Sequence, residues 1–453
     1  MALALPLRRP VRLSPVLPVA AVVALLALPV APGGEGGAGP ADALSALVVL
    51  FCAVRLLRAR SRPLSRTAAV VLGLPVAGVA LAALHAVSPG DGITGLGRYL
   101  QVFVLVPAAV VLLIRDRADF RLLSWSLVAL AACQGAIGVH QYVTGTGASY
   151  QGEDIRAVGT FGPSDVMGMA TVVAFGLVCA TGLALGRSAA RERAAAVCCA
   201  LALAVPLALS FSRGAWIATA LTLTVQLALA GPRRAVRIGA AAVAAGVVLV
   251  GGLGVGTAML QERIDSITHV TDAPDQSVTD RYTMWAAATD MWHDRPLTGV
   301  GLKAFPEYRD GHASLALSSG SDTEGAGAAY RRQPLLSPHN MYLLVLGEQG
   351  LIGLLCLAGG WLALLVCAVR GLWRTRAAGG RGLDCALVAC GLLVWQLVDF
   401  GYADIGGPST VLTAVCFGLV AWWALVGGDR LTPAGGIAVP AGRDPVTGEA
   451  ALR

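Results

Sequence analysis

The chain has 453 residues, 56% hydrophobic and 13% charged, with a mean hydropathy of +0.70. Soluble globular domains carry about 25% charged residues, so this composition excludes a string of soluble domains and marks an integral membrane protein. The net charge of +7 does not indicate a nucleic-acid partner, because the arginines alternate with apolar runs instead of gathering in one basic patch.

A spanning helix needs about 20 mainly apolar residues. In chain order such runs are expected near 16–31, 41–57, 67–87, 98–114, 120–143, 165–186, 194–210, 214–230, 235–259, 340–369, 383–400 and 408–427. The expected fold is all-α: a polytopic membrane protein of about twelve transmembrane helices with a long, partly helical outer loop. Residues 1–31 run basic, then apolar, then "PVAPGG", as a signal peptide does. The loop pattern that follows needs this segment as an uncleaved first span. Arginine clusters at 8–12, 55–66, 115–121, 187–193, 233–237 and 370–381 fall in alternate connections and put both termini in the cytoplasm. The expected organisation is helices one to nine over 1–259, an extracytoplasmic loop over 260–337, helices ten to twelve over 338–427, and a cytoplasmic tail over 428–453. The outer face then receives "PGGEGGAGP", 85–97, 144–164, the "SFSRG" turn, the long loop and "DFGYADIGG". The long loop holds seven basic and eleven acidic residues, net −4, the reverse of the whole chain. The ten cysteines sit in or beside apolar runs, with neither a disulfide framework nor metal-ligand spacing.

Three outer segments carry chemistry. In "LSFSRGAWIA" a very short turn bears Arg213, where the charge bias disfavours one. It is either an arginine that snorkels to the interface or, with Ser210 and Ser212, an anion site whose guanidinium fork suits phosphate oxygens. In "TDRYTMWAAATDMWHDRP" apolar residues recur at helical spacing, Asp280 can cap the start, and Arg281 shares a face with Trp285. The helix either lies on the bilayer with interfacial tryptophans or forms a lid offering an arginine to phosphate and an indole to a sugar. In "SPHNMYLLVLGEQGLIG", Ser337 is a natural N-cap, Pro338 suits the first helical position, and His339 falls in the first turn. The positive end of a helix favours an anion and disfavours the imidazolium, and a neutral imidazole can accept a proton. Gly350 interrupts the same segment. A structural histidine is the competing reading.

Together "SFSRGAW", "DRYTMWAAATDMWHDRPLTGVGLKAF" and "HNMYLLVLGEQGLIG" resemble the O-antigen ligase/polymerase superfamily of bacterial membrane glycosyltransferases. The family pattern at the last site is His, then Asn, Ser or Gln, nine residues, Gly, two residues, and Gly, Thr or Tyr. His339, Asn340, Gly350 and Gly353 fit it. "RAVGTFGPSDVMG", from Arg156, resembles the family's "GTF" segment but reads Gly162-Pro163-Ser164 where Asn-Pro-Asn is usual. The resemblance is tightest over 205–365. It implies an inverting, metal-independent transferase without a cofactor, acting at the outer face of the cytoplasmic membrane. The donor would be a glycan on undecaprenyl diphosphate, and the acceptor a sugar hydroxyl of a glycan or glycolipid. Arg213 and Arg281 would hold the diphosphate and His339 would activate the acceptor. Asn340, Ser212, Trp285 and Arg156 would line the substrate. The rival class is a transporter or flippase of lipid-linked glycan. Carriers, however, tend to show related halves and ionisable residues near the midplane. This chain shows no clear repeat, and its ionisable residues collect on the outer side.

Overall fold

The computed structural model describes residues 14–29, 39–60, 64–150, 154–165, 167–231, 233, 236, 276–318, 320–325, 328–333, 335–407 and 409–427. The span expected at 235–259 lies almost wholly outside them, as does the tail 428–453. Fourteen α-helices appear among the described residues: α1 (Leu17–Leu25), α2 (Pro40–Ala59), α3 (Arg66–Ala83), α4 (Pro89–Leu100), α5 (Val106–Leu113), α6 (Arg117–Thr144), α7 (Gly168–Leu185), α8 (Ala190–Leu209), α9 (Arg213–Ala230), α10 (Gln276–Asp294), α11 (Phe305–His312), α12 (Met341–Ala377), α13 (Leu383–Asp399) and α14 (Thr410–Trp422), with α4 and α5 joined by a π-helical turn, Gln101–Leu105.

Eight units among the described residues are long and apolar enough to cross a membrane: α2, α3, α4 with α5, α6, α7, α8, α12 and Thr410–Gly427. Among the described residues the expected count of twelve is therefore not confirmed. The run at 16–31 yields only the nine residues of α1, about 14 Å at 1.5 Å per residue against a hydrocarbon core of about 30 Å. The segment 85–97, expected as a loop, is mostly helix. Pro89 occupies the first turn and the Ser88 hydroxyl accepts from the Asp91 amide at 3.1 Å, so the span starts there. α13, of 17 residues, is buried along nearly its whole length against α7, α9, α12 and α14.

The bundle is helical, as expected, and four short strands occur in the connections. Strands β1 (Ala148–Tyr150), β2 (Asp154–Arg156), β3 (Ser321–Gly325) and β4 (Ala328–Gln333) form an antiparallel sheet in the order β2-β1-β3-β4. Ala148 pairs with Gly325, so the sheet joins the α6–α7 connection to the long loop. Polar loop backbone needs partners, and strand pairing supplies them where no helix forms.

At one end of the bundle the described residues of segments 145–165, 210–212, 295–340 and 400–407 meet. Leu302 N–H donates to Ala82 O at 3.3 Å, and Asp165 accepts from the Ser409 amide at 3.2 Å. At the other end Arg117 forks onto the fully buried Asp384 (3.0 and 2.9 Å), and Arg121 pairs with both Asp384 and Glu192.

Gly350 is the pivot of α12. Its φ of 65° and ψ of −167° break the helix, as the sequence suggested. The four-residue gap in the hydrogen-bond ladder is filled by Pro296–Gly301. The Val300 and Gly301 amides donate to the Gly347 and Glu348 carbonyls (2.9 and 3.0 Å), and the Leu351 and Ile352 amides donate to Pro296 and Leu297 (2.9 and 3.2 Å). Two stretches that read as separate motifs in the sequence are thus one main-chain interlock. Gly353 has a packing reason: a Cβ on Gly78 of α3 would lie 2.7 Å from its Cα, so the two backbones cross with no side chain between them.

Candidate active site

His339 stands just outside α12, not in its first turn. The Ser337 hydroxyl donates to Asp404 and so does not cap the helix; Asn340 is the N-cap, its Oδ1 accepting from the Leu343 amide at 3.1 Å. His339 itself takes a left-handed conformation (φ 48°), uncommon for a residue with a Cβ. It is held from both sides. Trp285 Nε1 donates to the Pro338 carbonyl at 2.9 Å, and Asn340 Nδ2 donates to the Gly401 carbonyl at 2.9 Å. The Met341 amide reaches Phe400 and Ala403 carbonyls at 2.9 and 3.0 Å.

The imidazole faces two charges of opposite sign. Its Nδ1 lies 3.9 Å from Asp404 Oδ2, and its side chain retains 45% of its exposure against 9% for Asp404. Burial holds the His339 pKa below its ordinary value; Asp404 pulls it up and Arg281 pushes it further down. The positive end of α12 acts in the same direction as Arg281. The neutral imidazole is therefore the form that prevails near neutral pH. Arg281 projects from α10, one turn before Trp285, and its charge also reaches Tyr402 and Asp399. Tyr282 packs edge-on to Trp285 with centroids 5.6 Å apart, and Tyr282 is half exposed. Asp280 does not cap α10, which already runs from Gln276. It accepts instead from Gln276 at 2.8 Å and from Ser318, tying residue 318 to the helix.

The "SFSRG" turn lies at the same end. Phe211 has φ 49°, and the buried Ser212 caps α9 by accepting from the Ala215 amide at 3.2 Å. Arg213 is the first residue of that helix. Arg156, at the end of β2, donates to the carbonyls of Ser210 and Phe211 at 3.3 and 3.4 Å, and so clamps the turn that presents Arg213. The "GTF" segment is bracketed from α6. Gln134 Oε1 accepts from the Thr160 amide at 2.9 Å, and Gln141 Oε1 accepts from the Val158 and Gly159 amides at 3.1 and 2.9 Å.

Segment 400–407 joins these parts, although no motif in the sequence marks it for a role. Tyr402 donates its hydroxyl to the Gly214 carbonyl, and a Cβ on Gly214 would sit 2.2 Å from the Tyr402 ring. Two residues on, Asp404 faces His339. Asp165 backs the same loop, its carboxyl pushed up to about 6 chiefly by burial. The signal was present as an acid in a Gly-rich outer turn after the eleventh expected span. Nothing in its spacing linked it to His339 sixty-five residues earlier.

All seven candidate residues thus lie at one end of the bundle, on four different segments. No three His, Cys, Asp or Glu side chains gather as a metal-binding group among the described residues. No curated protein matches the chain. Residues 195–358 match the family model described as O-antigen ligase, a stretch that holds Arg213, Arg281 and His339 but ends before Tyr402 and Asp404; the match identifies this stretch as an O-antigen ligase domain and supports the resemblance to the O-antigen ligase/polymerase superfamily.

Proposed function

We propose that the protein is a membrane glycosyltransferase that moves a glycan from undecaprenyl diphosphate to a sugar hydroxyl during surface polysaccharide assembly. The observation that carries this reading is a neutral-favouring histidine beside a cationic Arg281, at the end of the bundle that also presents Arg213. A base that accepts a proton next to groups that attract an anion suits one reaction well: attack of a hydroxyl on an anomeric carbon that leaves a diphosphate.

In that step His339 takes the acceptor proton, the acceptor oxygen bonds to the anomeric carbon, and the bond to the diphosphate oxygen breaks with inversion. Arg213 and Arg281 hold the departing charge, so that electrostatic stabilisation acts where charge develops. Trp285 and Tyr282 offer a stacking face, while Asn340, Ser212 and Arg156 shape the pocket wall. The test is direct. Purified protein given a lipid-diphosphate glycan and an acceptor should release undecaprenyl diphosphate. Movement of the intact lipid across vesicles without release would mark a carrier.

Three further results are expected. Arg213→Lys keeps the charge but loses the planar fork, so transfer should fall by about 10-fold to 100-fold at unchanged abundance; a parent rate would return Arg213 to an interfacial role. Turnover should survive EDTA, because two guanidiniums supply the neutralising charge. Loss in EDTA with recovery in magnesium would expose a metal requirement. For orientation, cysteine placed at the fully exposed Leu315 should react with a membrane-impermeant thiol reagent on intact cells above the parent background, and cysteine at Ala59 should not. The reverse pattern would put the His339 end in the cytoplasm.

A further inference from the structure

At the end of the bundle opposite His339, a cleft of about 430 Å³ is lined by Arg187, Arg233 and Arg376 over Ala230 and Leu383. The three arginines come from three places in the chain: after α7, after α9 and in the last turn of α12. Two glycines make room for them. A Cβ on Gly231 (φ 124°) would lie 3.2 Å from Arg376 Nη2, and one on Gly380 (φ 78°) would lie 3.3 Å from Arg187 Nε. Arg187 is further fixed by donating to the Gly379 carbonyl. The nearby carboxylate does not neutralise them, because Asp384 is already engaged by Arg117 and Arg121. Among the described residues none of the three cleft arginines has a carboxylate partner.

We propose that this cleft binds the phosphate headgroup of an anionic phospholipid. Three arginines lining one cleft suit phosphate oxygens in charge and in the donors they carry. The cleft is level with the ends of three candidate spans, at Leu185, Ala190 and Ala377, where the headgroup layer of a bilayer stands. Its apolar lining, Ala230 and Leu383, suits the glycerol and first acyl carbons, which a soluble phosphate lacks.

Native mass spectrometry of the full chain in detergent tests this with phosphatidylglycerol and phosphatidylcholine as probes, with and without millimolar inorganic phosphate. Phosphatidylglycerol should be retained, phosphatidylcholine at least roughly tenfold less, and inorganic phosphate should not displace the lipid. An arginine near an anionic lipid surface contributes about fivefold in affinity, so Arg187→Gln with Arg376→Gln should weaken retention roughly 30-fold. Arg66→Gln, an exposed arginine at the same end, should leave it unchanged. Arg376→Gln alone, expected to cost about fivefold, carries the test if the double variant does not fold. Equal retention of both lipids, retention unaffected by the cleft variants, or displacement by inorganic phosphate would each overturn the proposal.

Discussion

His339→Ala should lower glycan transfer by about 10²–10⁴-fold, the range typical for loss of a general base, with the protein inserted at parent abundance. The side chain makes no hydrogen bond that organises α12, since Asn340 and Trp285 do that work through their own groups. Removing the imidazole should therefore spare the fold. The pH profile gives a sharper reading. As a base, His339 acts in its neutral form, so rate is held above its pKa and lost as pH falls through it. Its pKa is lowered, so the acid limb should lie below the ordinary histidine value of 6.5. Asp404→Asn removes the one influence that raises it and should move that limb to still lower pH. Arg281→Gln removes a lowering influence and should move it upward, on top of any loss of rate. Transfer at the parent rate by His339→Ala, at equal expression, would make the histidine structural and the mechanism wrong.

Gly350→Ala should destabilise the protein by roughly 2–6 kcal/mol, from a backbone conformation essentially reserved for glycine together with overpacking. The added Cβ would meet the Leu297 carbonyl carbon and oxygen at 2.4 Å and the Gly299 amide nitrogen at 2.6 Å, all of them main-chain atoms that no rotamer change can move. Gly299 meets the same limit from the other side, 2.3 Å from the Glu348 carbonyl carbon, with φ 68°. Thermal unfolding in detergent measures the effect. A Gly350→Ala protein that melts with the parent would mean that Pro296–Gly301 does not dock on the broken helix. Activity should fall with folded abundance here, in contrast to His339→Ala, where abundance stays level.

Much of this site was legible because its parts are chemically conspicuous. An arginine in a two-sided charge pattern, a histidine before an apolar run and a glycine interrupting that run all stand out from a background of Ala, Leu and Val. The break at Gly350 was readable as a break. What filled it was not, because "PLTGVG" docks through main-chain groups that leave no mark on side-chain identity. The entry to α12 was misplaced because Ser337, Pro338 and Asn340 are all competent at a helix start, and the choice among them was made by Asp404, a residue from another hairpin. Among the described residues, expected spans went unconfirmed where the rule of length applied least. α1 is apolar but only nine residues long, and α13 is buried in the bundle. Asp404 and Tyr402 escaped notice because a tertiary contact pairs them with His339 and Gly214, and no sequence period connects those positions.

Segment 400–407 also has a meaning for biogenesis. The chain enters the membrane from its amino end, and Arg156, Arg213, Arg281 and His339 are in place before this turn is made. Yet the Met341 amide, the Asn340 side chain and the Gly214 carbonyl all find their partners in Phe400–Ala403, and His339 finds its carboxylate two residues from Tyr402. A nascent protein that has delivered Arg156, Arg213 and Arg281 still lacks the turn that packs against His339 and Asn340. On the proposed mechanism, chemistry would then wait for insertion of the last hairpin, and an incompletely inserted chain would hold the charged groups without an ordered base between them.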